Sequence, residues 1–437
     1  MPLATFLSPH HIVLIGASQE KQKVGHAIAE RLRHFDGRVS YVNQKGYFLF
    51  GKKCVPKITD IVGDIDVAVI ATPASTVPLL LEDCAHKEIR HIIILSAGFS
   101  ESGQDRLSHH VQEIIARERM DVLGPNCFGL VNTKNHLDVT YAKTFPLAGS
   151  VAFVAQSGAL WSALVEYSAV QHLGFSWYLS LGDMFGINFL DALNYAAQDP
   201  HTNVVCCYIE TLRDQGRAFM RAVQTLRKPV IVLKGGVSVA GARASLSHTG
   251  SLAGDAAVYS AAFSQCGAVQ VSTVSELVDV AQFLSWQKKP KGKRVLVVSN
   301  AGGPSIICAD LLEKYGLDIV HLPPSLDLSQ LPANWSHNNP IDIVGDATPE
   351  RFKYTFRQLT KKPFFDAIIV VYTPQQMGQA HLVAREVSLF HKKTKIPTIA
   401  CFMGQKSMAE AHAVFFGAHI PCFFEVERAV RVLASLF

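Results

Sequence analysis

Short runs of β-branched and other apolar residues recur along the whole chain, and most are followed by a stretch patterned for a helix. That alternation constrains the fold to parallel sheets. A parallel strand pair needs a long crossover, and a helix is its usual form. His11–Ile15, Val39–Val42, Val67–Ile70, His91–Leu95 and Asp121–Leu123 read as five buried strands, with helices near Gly25–His34, Thr76–His86 and Asp105–Arg119. They predict a doubly wound α/β domain over residues 1–130. Val151–Val154, Val204–Ile209 and Val230–Leu233, with helices near Gly158–His172, Gly216–Leu226, Asp255–Cys266 and Val274–Trp286, predict a second domain over 145–288. The polar stretch Gln287-Lys288-Lys289-Pro290-Lys291-Gly292-Lys293 reads as a hinge. A third α/β domain is expected over 293–437, from Arg294–Ser299, a helix from Pro304, Ala367–Val371 and Ile396–Cys401.

Composition narrows the function classes. The net charge of +5 has no clustered basic stripe, so nucleic acid is not indicated. No apolar run reaches the roughly 18 residues that would read as a membrane span. Met1 to Thr5 has no basic flank before an apolar stretch, so a cytoplasmic protein is expected. The nine cysteines are scattered and form no Cys-x-x-Cys pair, which points away from structural zinc and disulfide frameworks. No metal ligand set is read from the chain.

The first strand runs into Gly16-Ala17-Ser18, with Lys23-Val24-Gly25 ahead of the next helix. Such a turn brings backbone N–H groups and a helix N-terminus close to phosphates. The spacing departs from Gly-x-Gly-x-x-Gly. The second strand ends in Asn43-Gln44-Lys45, where a classical NAD site has an acid for the ribose hydroxyls. Asn43 and Lys45 suit an extra phosphate better, the 3′-phosphate of coenzyme A or the 2′-phosphate of NADP. Thr72-Pro73, Ser96-Ala97-Gly98 and Asn126-Cys127 also fall at strand ends, on the edge where such sheets bind ligands.

The second domain opens with a strand leading into Gln156-Ser157-Gly158 and a helix. Ser157 is placed as the N-cap, and the free N–H groups of that turn form an anion site by geometry and dipole. Glu210 follows the next strand. Further on, His248 sits among small residues in Ser245-Leu246-Ser247-His248-Thr249-Gly250-Ser251, read as an accessible loop. An accessible histidine can carry a transferred group, and an acid can orient it by accepting its second N–H. An anion cradle, an acid and a mobile histidine together suit phosphoryl transfer through phosphohistidine.

On Gly16-Ala17-Ser18, Asn43-x-Lys45, Gly124-Pro125-Asn126-Cys127-x-Gly129, Gln156-Ser157-Gly158, Glu210 and Ser247-His248-Thr249-Gly250, the chain resembles the α subunit of NDP-forming acyl-CoA synthetases. The acetate–CoA ligases (ADP-forming) are the nearest type, with succinyl-CoA synthetase a relative. The resemblance implies a Rossmann-like CoA-binding domain followed by two flavodoxin-like ligase domains. It implies that His248 is the phosphorylated histidine and Glu210 the acid that orients it. Gln156, Ser157, Gly158, Gly250 and Ser251 are then the phosphate-binding set. Gly16, Ala17, Ser18, Lys23, Val24, Asn43, Lys45, Thr72, Pro73, Ser96, Ala97, Gly98, Asn126 and Cys127 are the CoA-binding set. ADP or ATP with Mg2+ belongs, by that resemblance, to an ATP-grasp β subunit on another chain, in an α2β2 assembly. Three α/β units use up the length here. Gln44 stands where the family has proline, and Leu181-Gly182-Asp183-Met184-Phe185-Gly186 differs from the commoner Gly-Asn-Lys form. Three competing readings share some of these features: an acyl-CoA-sensing regulatory relative of protein acetyltransferases, a carbamoyl-transfer relative, and an NADP-dependent oxidoreductase.

Overall fold

The computed structural model describes residues 2–99, 102–249, 254–361, 363–376, 378–404 and 406–437, with the side chains of residues 2 and 246–249 outside the description. The chain divides into two compact units, Met1–Leu277 and Val278–Phe437.

The first unit holds two large sheets. After a short helix α1 (Pro2–Leu7), strands β1 (His11–Ile15) and β2 (Arg38–Val42) flank helix α2 (Val24–Arg31). A small hairpin, β3 (Phe48–Leu49) and β4 (Lys52–Lys53), precedes β5 (Val67–Ile70), α3 (Val77–His86), β6 (His91–Ile94), α4 (Asp105–Glu118) and β7 (Asp121–Leu123). The sheet order is β2-β1-β5-β6-β7, all parallel. Ile12 pairs with Val39 on one side and Val67 on the other, so β1 is central and the chain reverses direction around it. Every residue of β1 and β5 is buried, as a parallel strand covered by helices on both faces requires. The reversal leaves a crevice at the carboxyl ends of β1 and β5, the ligand position of such folds.

The second sheet comprises β8 (Leu130–Asn132), β9 (Leu137–Asp138), β10 (Ala148–Ala155), β11 (Phe175–Ser180), β12 (Val204–Ile209), β13 (Val230–Lys234) and β14 (Val269–Val271). Its order is β14-β13-β12-β10-β11-β8-β9. Strand β8 pairs antiparallel with both β11 and β9, so the sheet is mixed at that edge, which the strand–helix alternation does not announce. Helices α5 (Ala159–Val170), α6 (Phe189–Gln198), α7 (Gly216–Thr225), α8 (Val239–Thr249) and α9 (Ala256–Cys266) follow in turn, then α10 (Val274–Trp286). Trp161 of α5 stacks on Tyr178 of β11 with ring centroids 4.0 Å apart and only 3° between planes. That stack fixes α5, and with it the position of its N-terminus, on the sheet.

The second unit is built on a sheet of β15 (Arg294–Ser299), β16 (Asp318–Ile319), β17 (Ile341–Asp342), β18 (Ala367–Tyr372), β19 (Thr398–Phe402) and β20 (Cys422–Phe423). The order is β16-β15-β18-β19-β20, with β17 also on β15. Within this unit Arg428 grips the buried Asp279 of α10 with two charge-assisted hydrogen bonds, at 2.9 and 2.6 Å. No helix among the described residues is long and apolar enough to cross a membrane.

Candidate functional site

The first crevice is made by close backbone approach. Gly16 has φ +94, and a Cβ there would stand 2.6 Å from the Ala71 carbonyl oxygen and 2.8 Å from Thr72 Cγ2. A Cβ on Gly25 would stand 2.0 Å from the Gly16 carbonyl oxygen. The two glycines are therefore the contact between the β1 turn and the start of α2. Their distance in sequence hides a pairing that Gly-x-Gly-x-x-Gly achieves with shorter spacing. Asn43 ties the neighbouring loop down. Its Nδ2 donates to the Ala17 carbonyl at 2.7 Å, and its Oδ1 accepts from the Lys45 N–H at 2.9 Å. The Tyr47 hydroxyl donates to the same Ala17 carbonyl, also at 2.7 Å. Ser18 is buried, with its Oγ accepting from the Glu20 N–H and its carbonyl bonded to His26 Nδ1. Lys45, Pro73 and Ala97 are exposed at the rim, as are Lys23 and Val24. Lys23 carries an exposed ion pair with Glu20. Ser96 is buried and donates its hydroxyl to the Thr72 carbonyl, joining the ends of β5 and β6, and Gly98 has φ +107.

Two first-crevice expectations divide at Gly124–Gly129. Asn126 has φ +54, its N–H bonded to the Ser96 carbonyl, and its side chain reaches Asp183 Oδ1 at 3.4 Å. It stays at the strand-end edge. The Cys127 side chain turns inward from that edge. It is buried in the core, its thiol donates to the Ile94 carbonyl, and burial pushes that thiol up to about 12.

The second crevice is made by buried polar side chains. Gln156 Oε1 accepts from the backbone N–H groups of Glu210 (2.6 Å) and Thr211 (2.9 Å), locking the end of β10 to the loop after β12. That oxygen is committed to the protein, so Gln156 shapes the cradle. Helix α5 begins at Ala159 with Gly158 as its N-cap, and no side chain caps it. The structure puts the N-cap at Gly158, one residue after the expected Ser157, and glycine has no side chain with which to close the turn. The uncapped turn keeps its N–H groups free of side-chain acceptors, which favours an anion there. A Cβ on Gly158 would stand 2.2 Å from Phe128 Cβ, so the cradle abuts the Gly124–Gly129 segment directly.

Glu210 is 5% exposed. The Tyr208 hydroxyl bonds its side chain; burial first, then the nearby carboxylate, pushes that phenol up to about 12. Lys234, at the end of β13, is also 5% exposed. Its ammonium donates to the Glu210 carbonyl at 2.8 Å and to the Gly235 carbonyl, and stands 4.7 Å from the Tyr259 ring centroid. Burial lowers the Lys234 pKa, and the Glu210 charge opposes that shift. The Tyr259 hydroxyl accepts from the Leu212 N–H. Tyr208 and Tyr259 were not among the residues singled out by sequence, and Lys234 reads there only as the close of its strand. The available signal was a charged residue closing each of two adjacent apolar strands.

His248 lies in the last turn of α8, not on a loop. The segment is small but rich in alanine, with arginine and leucine, and those residues are good helix formers. Described side chains of α8 end before Leu246, and Gly250 and Ser251 lie outside the described residues. Among the described residues no three His, Cys, Asp or Glu side chains gather as a metal site.

Three family models match the chain in order: a CoA binding domain at residues 10–133, a succinyl-CoA ligase like flavodoxin domain at 148–284 and a Ligase-CoA domain at 295–437. The acetate–CoA ligase [ADP-forming] I subunit alpha of Pyrococcus furiosus is 33% identical over 455 residues, covering 100% of this chain and 97% of that protein. The chain belongs to the ADP-forming acetate–CoA ligase family. The acetate–CoA ligase [ADP-forming] I of Archaeoglobus fulgidus is 36% identical over 98% of the chain, which spans 62% of that protein's length. A solved dinucleotide-forming acetyl-coenzyme A synthetase 1 of Ca. Korarchaeum cryptofilum, in complex with phosphate and ADP, superposes with a TM-score of 0.94. It shares 32% identity, and the match covers 100% of this chain and 96% of that one. In this acetate–CoA ligase family member, the first crevice falls within the CoA binding domain match and the Gln156–Glu210–Lys234 cluster within the succinyl-CoA ligase like match.

Proposed function

We propose that this chain is the α component of an ADP-forming acyl-CoA synthetase that works through a phosphohistidine. Phosphate bound at the N-terminus of α5 attacks the thioester carbonyl of an acyl-CoA, giving an acyl phosphate and releasing CoA. A nitrogen of His248 then attacks the phosphorus, and the carboxylate leaves. Glu210 accepts the second imidazole N–H and stabilises the charge that develops on the ring. Gly158, Ser157, Gly250 and Ser251 supply donors to the phosphoryl oxygens, and Gln156 holds the Glu210 loop in place. CoA lies over the Gly16–Ser18 turn with Lys45 at its 3′-phosphate. Lys23, Val24, Thr72, Pro73, Ser96, Ala97, Gly98 and Asn126 line its path. The phosphoryl group passes to ADP with Mg2+ on an ATP-grasp β subunit, in an α2β2 complex; a cytoplasmic enzyme fits this reaction.

The observation that carries the reading is the contact of Gly158 with Phe128. It sets an uncapped helix N-terminus against the Asn126 loop at the carboxyl edge of the first sheet. Thioester and phosphate can therefore meet without either leaving its own crevice, and that positioning is a large part of such a reaction's rate. Incubation with acetyl-CoA and radiolabelled phosphate should place acid-labile, base-stable label on the wild-type chain. His248→Asn should bind CoA normally and take up none. Label at the wild-type level on His248→Asn would eliminate the phosphohistidine.

A further inference from the structure

Between the two crevices runs the segment Leu181–Ile187, the connection from β11 to α6. It lies along the end of β7 like a strap. The Asp183 N–H donates to the Pro125 carbonyl at 2.9 Å, Phe185 N–H to Gly124 at 3.0 Å, and Ile187 N–H to Val122 at 2.8 Å. A Cβ on Gly182 would stand 2.1 Å from the Pro125 carbonyl oxygen, so no residue with a side chain fits there. On its inner side the strap meets Asn126 through the Asp183 carboxylate. On its other side, the Asp183 carbonyl accepts from Arg213 Nη2 at 2.8 Å. Arg213 belongs to the loop that carries Glu210, and its own N–H donates to Thr211 Oγ1. The Thr211 N–H is in turn held by Gln156.

Three residues of this relay are non-glycines with left-handed backbones: Asn126 (φ 54), Met184 (φ 51) and Arg213 (φ 50). Each costs on the order of 1 kcal/mol, and such conformations persist where their surroundings over-determine them. Their gathering on one path, from the Asn126 loop to the Glu210 loop, marks a joint whose geometry is maintained against local preference.

We infer that Arg213 is a positioning residue that couples the CoA-side loop to the phosphate-side loop through the Asp183 strap. The inference rests on the proposed function, because it takes the two crevices to hold CoA and phosphate. Its consequence is that each ligand, by ordering its own loop, orders the other's. Coupling of this kind is reciprocal.

The test is calorimetry on the full chain with two probes that do not react together, CoA and inorganic phosphate. Saturating phosphate should tighten CoA binding by about five-fold or more, within the usual range for coupled sites. Arg213→Gly removes the guanidinium while relieving the left-handed backbone, so the protein should melt no lower than wild type. The coupling should vanish, with CoA affinity measured alone unchanged to within about two-fold. Arg213→Lys, which can still donate to the Asp183 carbonyl, should regain part of it. Coupling that survives in Arg213→Gly, a lowered melting temperature, or a collapse of CoA affinity on its own would each overturn the assignment. Wild-type chain that takes up label from acetyl-CoA and phosphate yet shows no coupling overturns this inference and leaves the function standing. Coupling without label overturns the phosphohistidine alone. Wild-type chain that binds neither probe overturns both.

Discussion

The two crevices of the first unit are built from opposite materials. At the end of β1 the site consists of what is missing: Gly16 and Gly25 leave room for backbone to approach backbone, and the side chains nearby are mostly spent holding loops. At the ends of β12 and β13 the site consists of buried charge, with Glu210 and Lys234 each 5% exposed and Tyr208 and Tyr259 packed on them. The difference matches the two tasks proposed for them. Holding a long ligand with several phosphates calls for open, multidentate backbone donors. Managing a proton and a phosphoryl charge on one ring calls for a fixed acid shielded from water.

If that division is right, each crevice should fail in its own way. Glu210→Gln carries the largest expected effect. It preserves shape and removes only the charge, so label uptake from acetyl-CoA and phosphate should fall about 10³-fold, or ~4 kcal/mol in the barrier. CoA affinity should stay as it was. Loss of CoA binding in that variant would mean the crevices are one site. Gly25→Ala comes next. The added Cβ has 2.0 Å to the Gly16 carbonyl oxygen, a backbone atom that cannot swing away. The turn must shift, at a cost near the upper end of the ~1–3 kcal/mol typical of overpacking. CoA affinity should drop with it, by roughly ten-fold or more. Unchanged affinity for CoA on a retained filter would show that the Gly16–Gly25 contact serves the fold alone.

The same contrast explains what could be read from the sequence. All five strands of the first sheet lie within one residue of their expected ends, and so do β12 and β13, because mostly apolar runs before turn residues have few other uses. Strand β11 escaped. Phe175–Ser180 contains two serines, a tryptophan and a tyrosine, and its serine hydroxyls meet partners distant in sequence: Ser180 Oγ accepts from the Phe128 N–H, and Ser176 Oγ bonds Thr202 Oγ1. Glycine signals are local, so the close backbone approach of the first crevice was visible. The charged cluster was half visible: Glu210 stood out after its strand, but Lys234 and Arg213 gain meaning only through a carbonyl 24 or 30 residues away. Helix α8 was misjudged because small residues were taken as flexibility where alanine content favours a helix.

The smallest effect falls on Lys45, the residue that suits an extra phosphate in the sequence. Lys45 is exposed, and its backbone N–H is anchored by Asn43 Oδ1. An exposed ammonium meeting a phosphate in water is a screened point charge, worth about 1 kcal/mol or less. Lys45→Ala should therefore weaken CoA binding by about five-fold at low salt, and by less as salt rises. The sharper measurement uses dephospho-CoA, which lacks the 3′-phosphate. Wild type should bind it about as weakly as Lys45→Ala binds CoA, and the substitution should add nothing further. An equal loss for both ligands would move Lys45 off the 3′-phosphate. A loss far above five-fold would mean that this crevice, too, relies on a desolvated charge, and the contrast between the two sites would no longer hold.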